Sequence, residues 1–111
     1  MDFKEYQEKA ARTYPIYRSF EEKLLDGVLG IGGESGEVLD VLKKALFQGH
    51  HLNHEKLIEE VGDVLWYMSL ICSSLGYTLE DVAKKNIDKL IERYPNGFST
   101  EASINRKEYK K

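Results

Sequence analysis

The chain has 111 residues, 41% of them hydrophobic and 32% charged, with a net charge of −3. Those values fit one small globular domain, and acid and base are interspersed, which argues against a broad nucleic-acid-binding surface. A single cysteine, Cys72, excludes an intramolecular disulfide, and no apolar run approaches membrane-spanning length.

The first helix is expected from about Asp2 to Thr13, carrying Phe3, Tyr6 and Ala10, and Tyr14-Pro15 ends it because the residue before proline disfavours helical angles. On it Tyr6 reads as packing and Gln7 as surface. The second helix runs from about Phe20 to Phe47, with Gly30, Gly32 and Gly33 as possible break points and Gly49 as its stop. The third starts after Asn53, a good N-cap, and ends near Gly76. Thr78 caps a fourth, which runs to about Tyr94, and Asn96-Gly97 marks a turn. Little alternates with period two, so the expected fold is all-α: four helices packing into a bundle that a second subunit completes, because a chain this short buries only a modest core. Residues 1–98 form one domain. Residues 99–111 form a polar, basic C-terminal tail, read as a solvated terminus, with a flap over an anionic ligand as the functional alternative. The first residues lack the apolar block of a signal peptide, so a cytoplasmic home is expected, with no membrane and no nucleic-acid partner.

Four acids interrupt the apolar stripes. Ile31, Glu34, Val38, Val41 and Ala45 share one face of the second helix; Leu57, Glu60, Val64, Tyr67 or Met68, Ile71 and Leu75 share one face of the third. Glu34 and Glu37, then Glu60 and Asp63, are each spaced i, i+3, so each pair projects from one side. Inward-facing carboxylates repel one another and are costly to bury as anions. A hard divalent cation removes that cost, and an all-oxygen donor set suits Mg²⁺, with Mn²⁺ as the alternative. If the two helices pack antiparallel, all four acids converge. Gly36 and Gly62 lie inside the two pairs, and close approach of the two backbones is the expected reason for them.

A phosphate ligand needs protein cations as well. Asn86, Lys89 and Arg93 stand at i, i+3, i+7 on the fourth helix as candidate substrate contacts, and Lys43 and Lys44 lie two turns beyond Glu37. His50, His51 and His54 lack the spacing of a zinc site and read as loop histidines. Trp66, Tyr67 and Met68 read as core or subunit contacts, and Cys72 as a buried thiol.

The segments GESGEVLDVLKK (33–44), EEVGDVLWYMSLIC (59–72) and NIDKLIERYPNGF (86–98), with EYQEKAART (5–13) at the start, resemble the MazG-like nucleoside triphosphate pyrophosphohydrolases of the all-α NTP pyrophosphatase superfamily. The ExxE pair, the 22-residue gap and the ExxD pair carry the likeness. The resemblance implies Mg²⁺-dependent cleavage of a (d)NTP between the α and β phosphates, giving the monophosphate and pyrophosphate, in nucleotide-pool housecleaning. It implies that Glu34, Glu37, Glu60 and Asp63 hold the metal and are catalytic, that Asn86, Lys89 and Arg93 bind substrate, and that the protein is a homodimer or homotetramer. Many members carry a double acid at the start of the first motif; here that position is Gly33. Two other readings stay open: a superfamily relative acting on dUTP/dCTP or a phosphoribosyl nucleotide, and a nucleotide-binding regulatory or dimerisation module without hydrolysis.

Overall fold

The computed structural model describes residues 1–106. The chain is all-α, and no strand occurs among the described residues. Among the described residues five helices follow in order: α1 (Phe3–Ala11), α2 (Phe20–Phe47), α3 (His54–Ser74), α4 (Leu79–Arg93) and α5 (Thr100–Ile104). They divide between two compact units, Met1–Leu79 and the residues from Glu80 on.

Local chemistry sets the helix ends. The Asp2 side chain accepts from Glu5 N–H and opens α1. Ser19 and Glu22 form a capping box that opens α2, and the Asn53 side chain accepts from Lys56 N–H to open α3. Gly76, at φ +77°, closes α3 with Tyr77 N–H donating 2.8 Å to the Cys72 carbonyl, a Schellman end that a left-handed residue makes possible. Gly49, at φ +73°, follows the end of α2, where Gln48 N–H and His50 N–H both donate to the Lys44 carbonyl.

In the first unit α3 is the central helix. A side-chain carbon added at Gly27 would lie 2.5 Å from Ile71, and one added at Gly30 would lie 2.2 Å from the Tyr67 ring. Each step forward on α2 meets an earlier residue on α3, so the two helices are antiparallel. α1 crosses the C-terminal half of α3. Trp66 Nε1–H donates 2.7 Å to Thr13 Oγ1, the Tyr14 and Ser69 hydroxyls are hydrogen-bonded, and the Tyr14 and Trp66 rings meet edge to face.

Gln7 belongs to this clamp, which corrects its reading as a surface residue. Its amide nitrogen donates to Ser73 Oγ (2.9 Å) and the Tyr77 carbonyl (3.0 Å), and its oxygen accepts from Leu79 N–H (2.9 Å). One side chain thereby ties α1 to the end of α3 and to the first residue of α4.

Two other expectations change. α2 is continuous through Gly30, Gly32 and Gly33, and the glycines that admit α3 are Gly27 and Gly30. Nothing lies within 4 Å of a side-chain carbon placed at Gly36 or Gly62. The reason is angular: Gly27 and Gly30 lie one turn apart on the face that continues through Glu34, whereas Gly36 and Gly62 point away from the seam. The segment read as a plain tail contains α5, opened by Ser99, whose hydroxyl accepts from Ala102 N–H at 3.0 Å. The rest of that tail, residues 107–111, lies outside the described residues.

Burial is thin. The buried apolar side chains are Ala10, Leu70, Cys72 and Leu79, so the reading of Cys72 as a buried thiol holds. The expected stripes are half-buried along the α2–α3 seam, except that Glu60 is buried and Met68 and Leu75 are exposed. Leu25, Leu29, Leu39 and Leu46 on α2, and Ile58 and Val61 on α3, remain exposed.

Candidate functional site

The antiparallel register carries three acids to one place. Glu34 from α2 and Glu60 and Asp63 from α3 each present a carboxylate oxygen, all within 4.8 Å of one another. Glu60 is 6% exposed, Glu34 is half-buried and Asp63 is exposed, so the cluster runs from the seam out to solvent. Glu37 lies one turn further along α2, exposed and outside this close set, though its charge still acts on Glu34.

The electrostatics reflect that crowding. Glu60 beside it holds the Glu34 carboxyl above the ordinary glutamate range, and partial burial and the charges of Asp63, Glu60 and Glu37 act in the same direction. Glu60 goes the other way. Lys56 Nζ stands 2.9 Å from Glu60 Oε1 and lowers the Glu60 pKa; the hydrogen bond with Glu34 adds to this and burial opposes it. Lys56 escaped the sequence reading, although its position four residues before Glu60, on the same helical face, was a usable signal.

The donor set fits a hard divalent cation. It is all oxygen, it comes from two helices, and its outermost member is open to solvent, which leaves room for water or phosphate oxygens. Tyr6, half-buried on α1, senses the same charge: burial first, then Tyr14 and Asp63, push its phenol pKa up.

Trp66 and Tyr67 meet edge to face beside this seam, and Tyr67 fills the space left by Gly30. The three histidines are exposed around the turn between α2 and α3. Asn86, Lys89 and Arg93 lie on α4, the first two exposed and Arg93 half-buried. They belong to the second unit, as do Tyr94 and Phe98, whose rings meet 5.3 Å apart.

Residues 23–98 match the MazG nucleotide pyrophosphohydrolase domain. The chain belongs to the MazG family. The match spans both helices of the acidic cluster and all of α4. This MazG-family chain is also 32% identical over 82 residues to the Gene 37 protein of Mycobacterium phage L5, covering 70% of this chain and 72% of that one. No solved structure matches it. No described helix is long and apolar enough to cross a membrane.

Proposed function

We propose that this MazG-family protein is a Mg²⁺-dependent nucleoside triphosphate pyrophosphohydrolase, converting a (d)NTP and water into the (d)NMP and pyrophosphate. The observation that carries the reading is the convergence of Glu34, Glu60 and Asp63 within 4.8 Å, inside a matched MazG domain. Glu34, Glu60 and Asp63, with Glu37 one turn away, hold Mg²⁺ or Mn²⁺. A bound ion supplies neutralisation of the polyphosphate and activation of the attacking water.

The chain's own residues do the rest. Lys56 keeps the Glu60 carboxylate ionised and fixed in orientation. A carboxylate of the set orients the water and takes its proton. The water oxygen bonds to the α-phosphorus, the bond from that phosphorus to the α–β bridging oxygen breaks, and pyrophosphate leaves with the electron pair. Asn86, Lys89 and Arg93 contribute an amide and two cations on one stripe of α4 and are assigned to the substrate.

The exposed leucines of α2 and the apolar residues of α3 support a homodimer or homotetramer in which a second copy covers them. The role proposed is nucleotide-pool housecleaning in the cytoplasm. The test is pyrophosphate release from a panel of ribo- and deoxyribonucleoside triphosphates, dUTP and dCTP included, with Mg²⁺ present. Turnover of at least one nucleotide to its monophosphate is expected. Binding of nucleotides without product would replace this reading with that of a non-hydrolysing module.

A further inference from the structure

One oxygen of the buried acid is already in use. Lys56 Nζ stands 2.9 Å from Glu60 Oε1 and 3.9 Å from Glu59 Oε2. The lysine is half exposed, whereas Glu60 is buried. An ammonium donates and never accepts, so it engages Oε1 as a small cation would. A divalent ion on that same oxygen would stand close to the ammonium, and like charges at such separations repel.

The ligand geometry around the cluster favours one ion over two. Oxygens on opposite sides of a Mg²⁺ ion stand about 4.2 Å apart, each bond being about 2.1 Å. The oxygens of Glu34, Glu60 and Asp63 lie within 4.8 Å of one another, so small side-chain movements close them on a single ion. Two-metal centres hold their ions about 3.5–4 Å apart, and a carboxylate spanning that gap gives one oxygen to each. Glu60 is the member fixed in the seam, and one of its two oxygens faces Lys56 instead. Further acids are poorly placed to supply a second ion. Asp40 is held by Lys43 at 3.5 Å and by Lys44 at 2.9 Å. Glu59 is 72% exposed, and Glu37 is exposed and outside the close set. Gly33, beside Glu34, brings no side chain.

We propose that the Lys56 ammonium is a resident counter-cation, holding the Glu60 oxygen that a second divalent ion would need, so that the cluster loads one divalent ion per chain. The proposal rests on the divalent-metal part of the reading above. Lys56 is a positioning residue: it acts through Glu60, leaving the other Glu60 oxygen to share the single ion with Glu34 and Asp63. Removing the ammonium frees Oε1 and opens the bridging place.

The test counts Mn²⁺ bound per chain, using the full chain and no nucleotide. Electron paramagnetic resonance reads the free ion as Mn²⁺ is added. Only ions that excess Mg²⁺ displaces are counted, which sets aside any on the exposed histidines, since carboxylates and not imidazoles suit Mg²⁺. Wild type is expected to bind one, Lys56→Gln two, and Lys56→Arg, which keeps the cation, one. Two ions in wild type overturn the proposal whatever the variants do, and leave the metal centre standing. A single ion in both wild type and a folded Lys56→Gln also overturns it, by showing that the lysine does not set the count. No displaceable ion in wild type removes the metal reading and the proposal together.

Discussion

Lys56 Nζ lies 2.9 Å from Glu60 Oε1, one helical turn away, and Glu60 is the buried member of the acidic cluster. The lysine itself is half exposed. An ammonium at the surface thus reaches inward to the carboxylate that most needs a cation. Lys56→Met removes that partner while keeping the aliphatic stem. The variant is expected to melt lower than wild type without metal, because Glu60 then sits beside Glu34 with no positive neighbour. Added Mg²⁺ is expected to recover most of the loss. Thermal melts of both proteins with and without the ion check this; an unchanged metal-free melting temperature would show the pair to be inconsequential.

Glu34 gives the pH dependence. Glu60 and the other acids raise its pKa above the unfolded value, so the folded protein binds that proton more tightly. The associated stability is full below the unfolded pKa and is lost as pH rises through the raised, folded pKa. Glu60, lowered by Lys56, contributes stability that is lost as pH falls through its own folded pKa. Glu34→Gln is therefore expected to flatten the decline on the upper side of the acid range and to leave the low-pH loss in place. It is also expected to weaken Mn²⁺ binding by roughly tenfold or more, the scale seen even for groups that only support metal ligands. Melting curves across the acid range, with a Mn²⁺ titration, read both effects.

The glycines separate by what surrounds them. Gly30→Ala places a carbon 2.2 Å from the Tyr67 ring and pushes α2 off α3. An overpacking loss of about 1–3 kcal/mol is expected. Gly36→Ala meets nothing within 4 Å on the same helix, and an alanine there is expected to add up to about 1 kcal/mol. Urea denaturation of the two variants should move the midpoint in opposite directions.

Gln7 makes three hydrogen bonds at the junction of α1, α3 and α4. Gln7→Ala is expected to cost about 1–3 kcal/mol, at about 1 kcal/mol for each bond lost, and to increase hydrogen exchange at Leu79 N–H, which loses its acceptor. Exchange at that amide unchanged from wild type would contradict the clamp.

The repeating three-and-four spacing of Ile31, Glu34 and Val38, and of Leu57, Glu60 and Val64, made the α2–α3 seam and its acids legible, because helical periodicity is a local property. The end of α2 followed from an equally local signal at Gly49; the Ser19–Glu22 capping box that opens it was equally local but was not read. Gln7 was illegible for the opposite reason: its partners Ser73, Tyr77 and Leu79 lie some seventy positions on, and nothing in a helix-forming segment announces them. Gly36 and Gly62 drew attention by standing between acids, yet contact is decided by the angle around the helix, and Gly27 and Gly30 hold that angle. The five residues of α5 are too few to show a period; Ser99 was its one visible sign.

The central claim is that the Glu34–Glu60–Asp63 carboxylates drive cleavage between the α and β phosphates. ³¹P NMR of the turnover of a preferred triphosphate, in wild type and in Glu60→Gln and Asp63→Asn, tests it most directly. Equimolar monophosphate and pyrophosphate from wild type, with none from either folded variant, is the predicted result. Diphosphate and orthophosphate as products, or full turnover by both variants, would contradict it.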